Sequence, residues 1–118
     1  MKDTLVTIVE HTHYLKKAEK LLSEDQIEDI ANALAADPLL GEVMRGTGGF
    51  RKFRYAGVKN KGKSGGMRVI HLFVSDDGEV HLIDIFEKSD KENLTKAEQN
   101  ELAKIAAMFR CLKEKRNE

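Results

Sequence analysis

Residues 5–9 alternate with a period of two, Leu5, Thr7 and Val9 interleaving with Val6 and Ile8, which predicts a short opening strand. From about His13 the period lengthens: Tyr14, Ala18, Leu21 and Leu22 recur at helical spacing. Ser23 with Gln26 forms a capping-box pattern that opens a second helix. Ile27, Ile30, Ala31 and Leu34 share one face of it until Asp37-Pro38 ends it. Gly46-Thr47-Gly48-Gly49 then breaks the helical pattern and admits sharp turns. Residues 50–58 read as a strand with Lys52 and Arg54 on one face and Phe53 and Tyr55 on the other. A Lys/Gly loop over 59–66 leads to a strand over 67–74, a turn at Asp76-Asp77-Gly78 and a strand over 80–86. The Asp-Gly pair is a hairpin signal and makes those two strands antiparallel. Thr95 with Glu98 is a second capping box, and Leu102, Ile105, Ala106 and Phe109 form the apolar stripe of a last helix, whose charged end at 113–118 is expected to fray.

This order predicts an α+β fold: an antiparallel sheet with two N-terminal helices and a C-terminal helix packed on one face of it. The 118 residues make one domain, 1–118, with no repeat or linker. With no Trp and seven aromatics the core is mainly aliphatic. The single cysteine, Cys111, lies in the last helical pattern and reads as a small packing residue. No apolar run of spanning length and no leader pattern is visible, so the chain is expected to be soluble and cytoplasmic, with no membrane partner.

Charge changes the picture. Lys+Arg and Asp+Glu each number 20, yet residues 43–75 contain no acid and 45–68 contain eight bases: Arg45, Arg51, Lys52, Arg54, Lys59, Lys61, Lys63 and Arg68. The rest of the chain is left with twelve bases against twenty acids, a net −8. A basic centre in an acidic frame points to a polyanion held at one place. Seven of the nine glycines fall in the same window. His71 and His81 have the strand parity of apolar neighbours and are expected to face the core. His11 and His13 form a His-x-His pair, but nothing at ligand spacing supports a metal. Asp84 and Phe86 share parity with Lys88 and are expected on the basic face, Phe86 either as a core or edge aromatic or as a stacking surface for a nucleobase, and Asp84 as an ion-pair partner orienting Lys88 or Arg54.

Three segments together resemble the RelE/ParE superfamily of bacterial toxins, closest to its HigB-like branch. They are Met-Arg-Gly-Thr-Gly-Gly-Phe-Arg-Lys-Phe-Arg-Tyr from Met44, Lys-Gly-Lys-Ser-Gly-Gly-Met-Arg-Val-Ile from Lys61, and Leu-Ile-Asp-Ile-Phe-Glu-Lys-Ser-Asp-Lys from Leu82. The resemblance implies a type II toxin-antitoxin toxin that enters the ribosomal A site and cuts mRNA without a cofactor or metal, the ribose 2′-hydroxyl attacking the phosphate. Carried over position by position, Lys52 and Arg54 match basic residues that face the mRNA backbone. Arg68 matches the arginine on the scissile phosphate, for which a guanidinium is suited because it can bridge two oxygens. Lys88 matches a residue that stabilises the transition state or leaving group. Arg51, Lys61 and Lys63 are expected to contact ribosomal RNA or flanking phosphates. Some members place a catalytic tyrosine shortly after the position of Lys88, whereas this chain reads Ser89-Asp90-Lys91-Glu92-Asn93-Leu94, which leaves the general base unassigned. A lysine base such as Lys52 would need its pKa lowered by neighbouring cations.

The implied partners are the 70S ribosome, mRNA and an antitoxin, often a helix-turn-helix protein, whose complex with the toxin can bind operator DNA. Two other functions remain open at this stage. The superfamily includes ParE-like gyrase inhibitors, which lack the catalytic residues, and a basic sheet could also bind RNA without cutting it.

Overall fold

The computed structural model describes residues 6–55, 66–75, 78–87 and 94–116. The elements run β1 (Thr7–Glu10), α1 (Thr12–Leu21), α2 (Glu24–Ala36), β2 (Glu42–Val43), β3 (Arg51–Tyr55), β4 (Met67–Val74), β5 (Glu79–Glu87) and α3 (Lys96–Arg116). Lys61, Lys63, Lys88 and the Asp76-Asp77 turn lie outside the described residues.

Both capping boxes form. Ser23 Oγ accepts from Gln26 N at 3.2 Å while Gln26 Oε1 accepts from Ser23 N at 2.9 Å. Thr95 and Glu98 reciprocate in the same way at the start of α3. Each box satisfies two backbone donors that the first helical turn leaves without partners. The backbone of α3 is helical to Arg116, four residues into the charged end 113–118 expected to fray.

The five strands form one sheet in the order β1-β5-β4-β3-β2. Strands β4 and β5 pair antiparallel, as the Asp-Gly signal predicts, and β2 with β3 and β3 with β4 do so too, but β1 joins β5 in parallel, so the sheet is mixed. The two-residue β2 was not anticipated, being too short to carry a period.

The α+β class stands, but the helices do not share one face. Tyr14, Ala18, Leu22, Ile30 and Leu34 from α1, α2 and the turn between them bury against Phe53, Met67, Val69, Val80, Leu82 and Ile85. On the opposite face Leu102, Ile105, Ala106 and Phe109 of α3 pack over Phe50, Ile70, Leu72, Val74 and Phe86. The molecule is therefore three layers with two apolar interfaces. Strand β4 is central to both, and its run Met67, Val69, Ile70, Leu72 and Val74 is buried on alternate sides.

The glycine turn decides where α3 lies. Gly46, Gly48 and Gly49 all have positive φ (79°, 78° and 113°). A β-carbon on Gly48 would come within 3.0 Å of the Ala106 side chain and 3.4 Å of the Ala103 backbone. Glycine thus meets the need for a left-handed backbone and for close approach of the helix at one position. The turn is tied internally by buried Thr47, whose hydroxyl donates to Met44 O at 2.7 Å and accepts from Phe50 N at 3.1 Å. Arg110 of α3 donates to Gly48 O at 2.9 Å.

A second irregularity lies between β4 and β5. Ile70 opposes Asp84 but the next residue, His71, opposes Leu82, so β5 carries one extra residue, Ile83. Such a bulge reverses the facing of everything beyond it. Ile85 and Leu82 both enter the helix-pair core, while His81, expected to share the facing of Ile85, lies instead opposite Leu72 beneath α3.

Candidate nucleic-acid interface

The sheet face away from α1 and α2 carries the basic residues. Arg54 on β3 stands directly opposite Arg68 on β4, which in turn stands opposite Phe86 on β5. One step along, Lys52 opposes Ile70 and Ile70 opposes Asp84. Side chains in directly opposed positions are roughly 5 Å apart at their β-carbons, so two arginines, a lysine and an aromatic ring share one small patch. Arg54 is exposed, and Lys52 and Arg68 are half-buried. None of the three has a carboxylate within ion-pair distance among the described residues, although Glu42 on β2 stands opposite Lys52, and the Nη1 of Arg68 is buried with no hydrogen-bond acceptor there. A guanidinium nitrogen withdrawn from water without an acceptor is costly, and an anion oxygen would satisfy it.

Lys52 lies between two concavities. One, of about 320 Å³, is lined by Met44, Arg45, Lys52, Ile70, Phe86, Leu94 and Gln99, so the start of α3 forms its far wall. The other, of about 600 Å³, opens along the free edge of β3 past the end of β2 and is lined in part by Lys52, Arg54, Tyr55 and Arg68. Arg45, one of the eight bases of the 45–68 window with no site role evident from the sequence, joins the site here. Its proximity to Phe86 depends on the chain reversal at the glycine turn.

Arg51 is not brought to this patch. It has the other parity, opposite His71, and its Nη1 donates to the carbonyls of Leu39 and Gly41 at 3.1 and 3.0 Å, which ties β3 to the segment before β2. Asp84 does face the basic side, but Arg54 is not its partner, and Lys88 lies outside the described residues. Asp84 Oδ1 accepts from Lys17 Nζ at 2.7 Å and from Ile85 N at 2.8 Å, and stands 3.3 Å from His13 Nε2. Phe86 is 8% exposed and has Lys17 Nζ 5.8 Å from its ring centroid. Lys17 was missed because a lysine between Lys16 and Lys20 on an amphipathic helix looks like solvated surface.

Of the remaining titratable candidates, His71, His11 and Tyr14 lie away from the patch, whereas Tyr55 lines the larger concavity and His13 reaches Asp84. His71 is fully buried on the helix-pair side, its Nε2 donating to Leu40 O at 2.8 Å and its ring edge-on to Phe53. Burial holds its pKa below the usual histidine range, with the Arg51 charge adding to the depression and the bond to Leu40 opposing it. His11 and His13 diverge: His11 Nε2 meets His81 Nδ1 at 2.8 Å, and both of those rings stack on Phe109. Tyr55 donates to Asp29 at 2.9 Å and is pushed up to about 12 by burial and that carboxylate. Tyr14 is fully buried among the helix-pair core residues and is raised further, first by burial.

No helix among the described residues is long and apolar enough to cross a membrane. Comparison with known families matches residues 11–117 to the RelE toxin of the RelE/RelB toxin-antitoxin system. Among solved structures, the fold is similar to that of a double arginine-to-alanine mutant of the E. coli toxin RelE in the free state. The TM-score is 0.56 at 16% identity, covering 75% of this chain and 90% of that one. It is also similar to a chain of the intact E. coli RelBE toxin-antitoxin complex, at TM-score 0.53 and 16% identity, covering 69% of this chain and 94% of that one.

Proposed function

Because this chain belongs to the RelE toxin family, we propose that it is the toxin of a type II toxin-antitoxin system and acts as a ribosome-dependent, metal-independent endoribonuclease on mRNA in the A site. The observation that carries this reading is the unneutralised pair Arg54 and Arg68, directly opposed on neighbouring strands, with Arg68 Nη1 lacking an acceptor among the described residues. Like charges in opposed positions destabilise a free sheet. Their arrangement suits a dianionic transition state better than an empty surface.

In the proposed reaction the 2′-hydroxyl gives up its proton as its oxygen bonds to phosphorus, and the P–O5′ bond breaks in line with the 5′-oxygen taking up a proton, giving a 2′,3′-cyclic phosphate and a 5′-hydroxyl. Arg68 donates to the nonbridging oxygens and Arg54 adds charge beside it, so both interactions strengthen as the phosphorane gains charge. Lys52, next on the same face, approaches the attacking side. Lys88, following β5, serves the leaving oxygen, and Phe86 forms the apolar wall against which a neighbouring base rests. Lys61 and Lys63 bind ribosomal RNA or flanking phosphate. The ribosome supplies the ordering of mRNA that an open, shallow face does not provide by itself. The HigB-like branch is supported by the Lys61-Gly-Lys-Ser-Gly-Gly-Met-Arg68 segment. The cognate partner is an antitoxin of the helix-turn-helix kind, the complex binds operator DNA, and the site of action is the cytoplasm.

The test is in vitro translation of a defined mRNA with 5′ ends mapped by primer extension, for wild type and Arg68→Ala, with and without ribosomes. Cuts within A-site codons that need ribosomes and vanish with Arg68→Ala are the expected result. Intact mRNA with growth still arrested would replace this reading with a gyrase-directed or purely RNA-binding one.

A further inference from the structure

Strand β1 pairs only with residues 79–82 of β5, and α1, which follows directly, packs against β5 as well. Tyr14 and Ala18, four residues apart, point into the helix-pair core, whereas His13 and Lys17, also four apart on the adjoining stripe, reach Asp84. One helix thereby serves the core with one stripe and the opposite sheet face with the next. The bulge at Ile83 makes this possible, since it gives Asp84 and Phe86 the same facing as Arg68 while Leu82 and Ile85 stay in the core.

Asp84 Oδ1 gathers the Lys17 ammonium, the Ile85 amide and the His13 ring nitrogen at 2.7, 2.8 and 3.3 Å, and the ammonium also lies 5.8 Å from the Phe86 centroid. A cation held by a carboxylate and directed at an aromatic ring restricts both the ion pair and the ring. The same pair keeps a carboxylate beside the anion-binding patch from acting as an unpaired negative charge.

We propose that Lys17 is a positioning residue for the RNA-cleaving face: through its bond to Asp84 and its approach to Phe86 it fixes the ring that walls the Lys52 concavity, without itself contacting phosphate. This rests on the reading of that face as a ribonuclease. The conclusion follows from where the charge is committed. Lys52, Arg54 and Arg68 have no carboxylate within ion-pair distance among the described residues, whereas Lys17 is already paired. A paired ammonium would have to leave Asp84 to bind RNA, and Asp84 would then repel the same phosphate.

The experiment is single-turnover cleavage of mRNA on preassembled ribosomes over a range of toxin and salt concentrations, comparing wild type, Lys17→Met, Lys17→Arg, Asp84→Asn and the Lys17→Met/Asp84→Asn pair, with Arg68→Ala as control. Positioning predicts about a tenfold fall in the maximal rate for Lys17→Met, with half-saturation within twofold. It also predicts an unchanged salt slope, recovery in Lys17→Arg, and a double variant no slower than the slower single one. A salt slope reduced by about 0.7 with weaker half-saturation would make Lys17 a phosphate contact and overturn the proposal. Wild-type rates in Lys17→Met would also overturn it. If wild type makes no cuts, the ribonuclease reading fails and takes the proposal with it, whereas normal wild-type cutting abolished by Arg68→Ala keeps that reading whatever Lys17 does.

Discussion

His11 Nε2 and His81 Nδ1 lie 2.8 Å apart beneath the ring of Phe109, joining the end of β1, the middle of β5 and the C-terminal half of α3. A contact at that distance between two ring nitrogens holds one proton, so both histidines cannot be charged on these nitrogens while it persists. Burial lowers the pKa of His11, and the neighbouring His81 lowers it further. His71 is lowered too, chiefly by burial.

The stability of the free protein is therefore expected to fall on acidification. With folded-state values below the unfolded value near 6.5, both states are neutral at higher pH and the contribution is complete there. Below about pH 6.5 the unfolded chain binds protons that the folded chain refuses, so stability declines until the folded-state values are passed. Each histidine adds at most about 1.4 kcal/mol per pH unit. Urea midpoints at pH 7.5 and 5.5 measure the drop, and His11→Phe, which keeps a ring on Phe109, should reduce it. Equal midpoints at the two pH values would contradict the assignment.

The opposition of Arg54 and Arg68 predicts a trade between stability and activity. Arg54→Gln should raise the unfolding free energy of the free protein by several tenths of a kcal/mol, the gain shrinking in high salt. It should also slow single-turnover mRNA cleavage by more than tenfold. Denaturant titration at 0.05 and 0.5 M salt, paired with a cleavage assay, checks both halves. A destabilised variant would mean that the guanidinium has a stabilising role in the free fold.

Gly48→Ala should cost about 1–2 kcal/mol from the left-handed backbone alone, with a further cost because the added carbon meets Ala106 at 3.0 Å. Since the helix must move to make room, the loss should appear as weaker hydrogen-exchange protection in α3 than in α1 and α2. Uniform loss across all three helices would argue against a local effect.

The hydroxyl of Tyr14 is buried with no hydrogen-bond partner among the described residues. Tyr14→Phe keeps the ring and removes the unsatisfied group, so it should stabilise the protein by about 1 kcal/mol. Thermal or chemical unfolding gives the sign directly, and a destabilised variant would reveal a partner for the oxygen.

The parts of this fold that were legible in sequence are those set by local chemistry. The boxes at Ser23 and Thr95, the stop at Asp37-Pro38 and the bounds of β4 each depend on residues a few positions apart. The layer order was not legible from α3 itself, because an apolar stripe at Leu102, Ile105, Ala106 and Phe109 requires a cover without saying which sheet face provides it. The nearly unbroken apolar run of β4 was the available sign of a core on both sides. Within the site, the facing of Lys52, Arg54, Arg68 and Phe86 agrees with strand parity, since all lie on one side of the bulge. His81 lies beyond it, and parity counted across Ile83 gave it the facing of the wrong core. Arg51 shows a different limit: its parity was readable, but its bonds to Leu39 and Gly41 depend on a chain reversal that no short motif records.

The extra residue in β5 also bears on how this surface can vary. On one side of Ile83 the strand presents Val80 and Leu82 to the helix pair, and on the other it presents Ile85 there while turning Asp84 and Phe86 toward the arginines. Deleting Ile83 would set Leu82 directly before Asp84 and restore regular alternation with every facing kept, Val80, Leu82 and Ile85 toward the helix pair and Asp84 and Phe86 toward the arginines. Drawing Ile83 into regular pairing, by contrast, would either take Phe86 into the helix-pair layer and set Ile85 beside Arg68, or make Val80 and Leu82 change sides. The strand can therefore lose a residue at this position without disturbing either layer, but it cannot take the extra residue into the ladder without rewriting both.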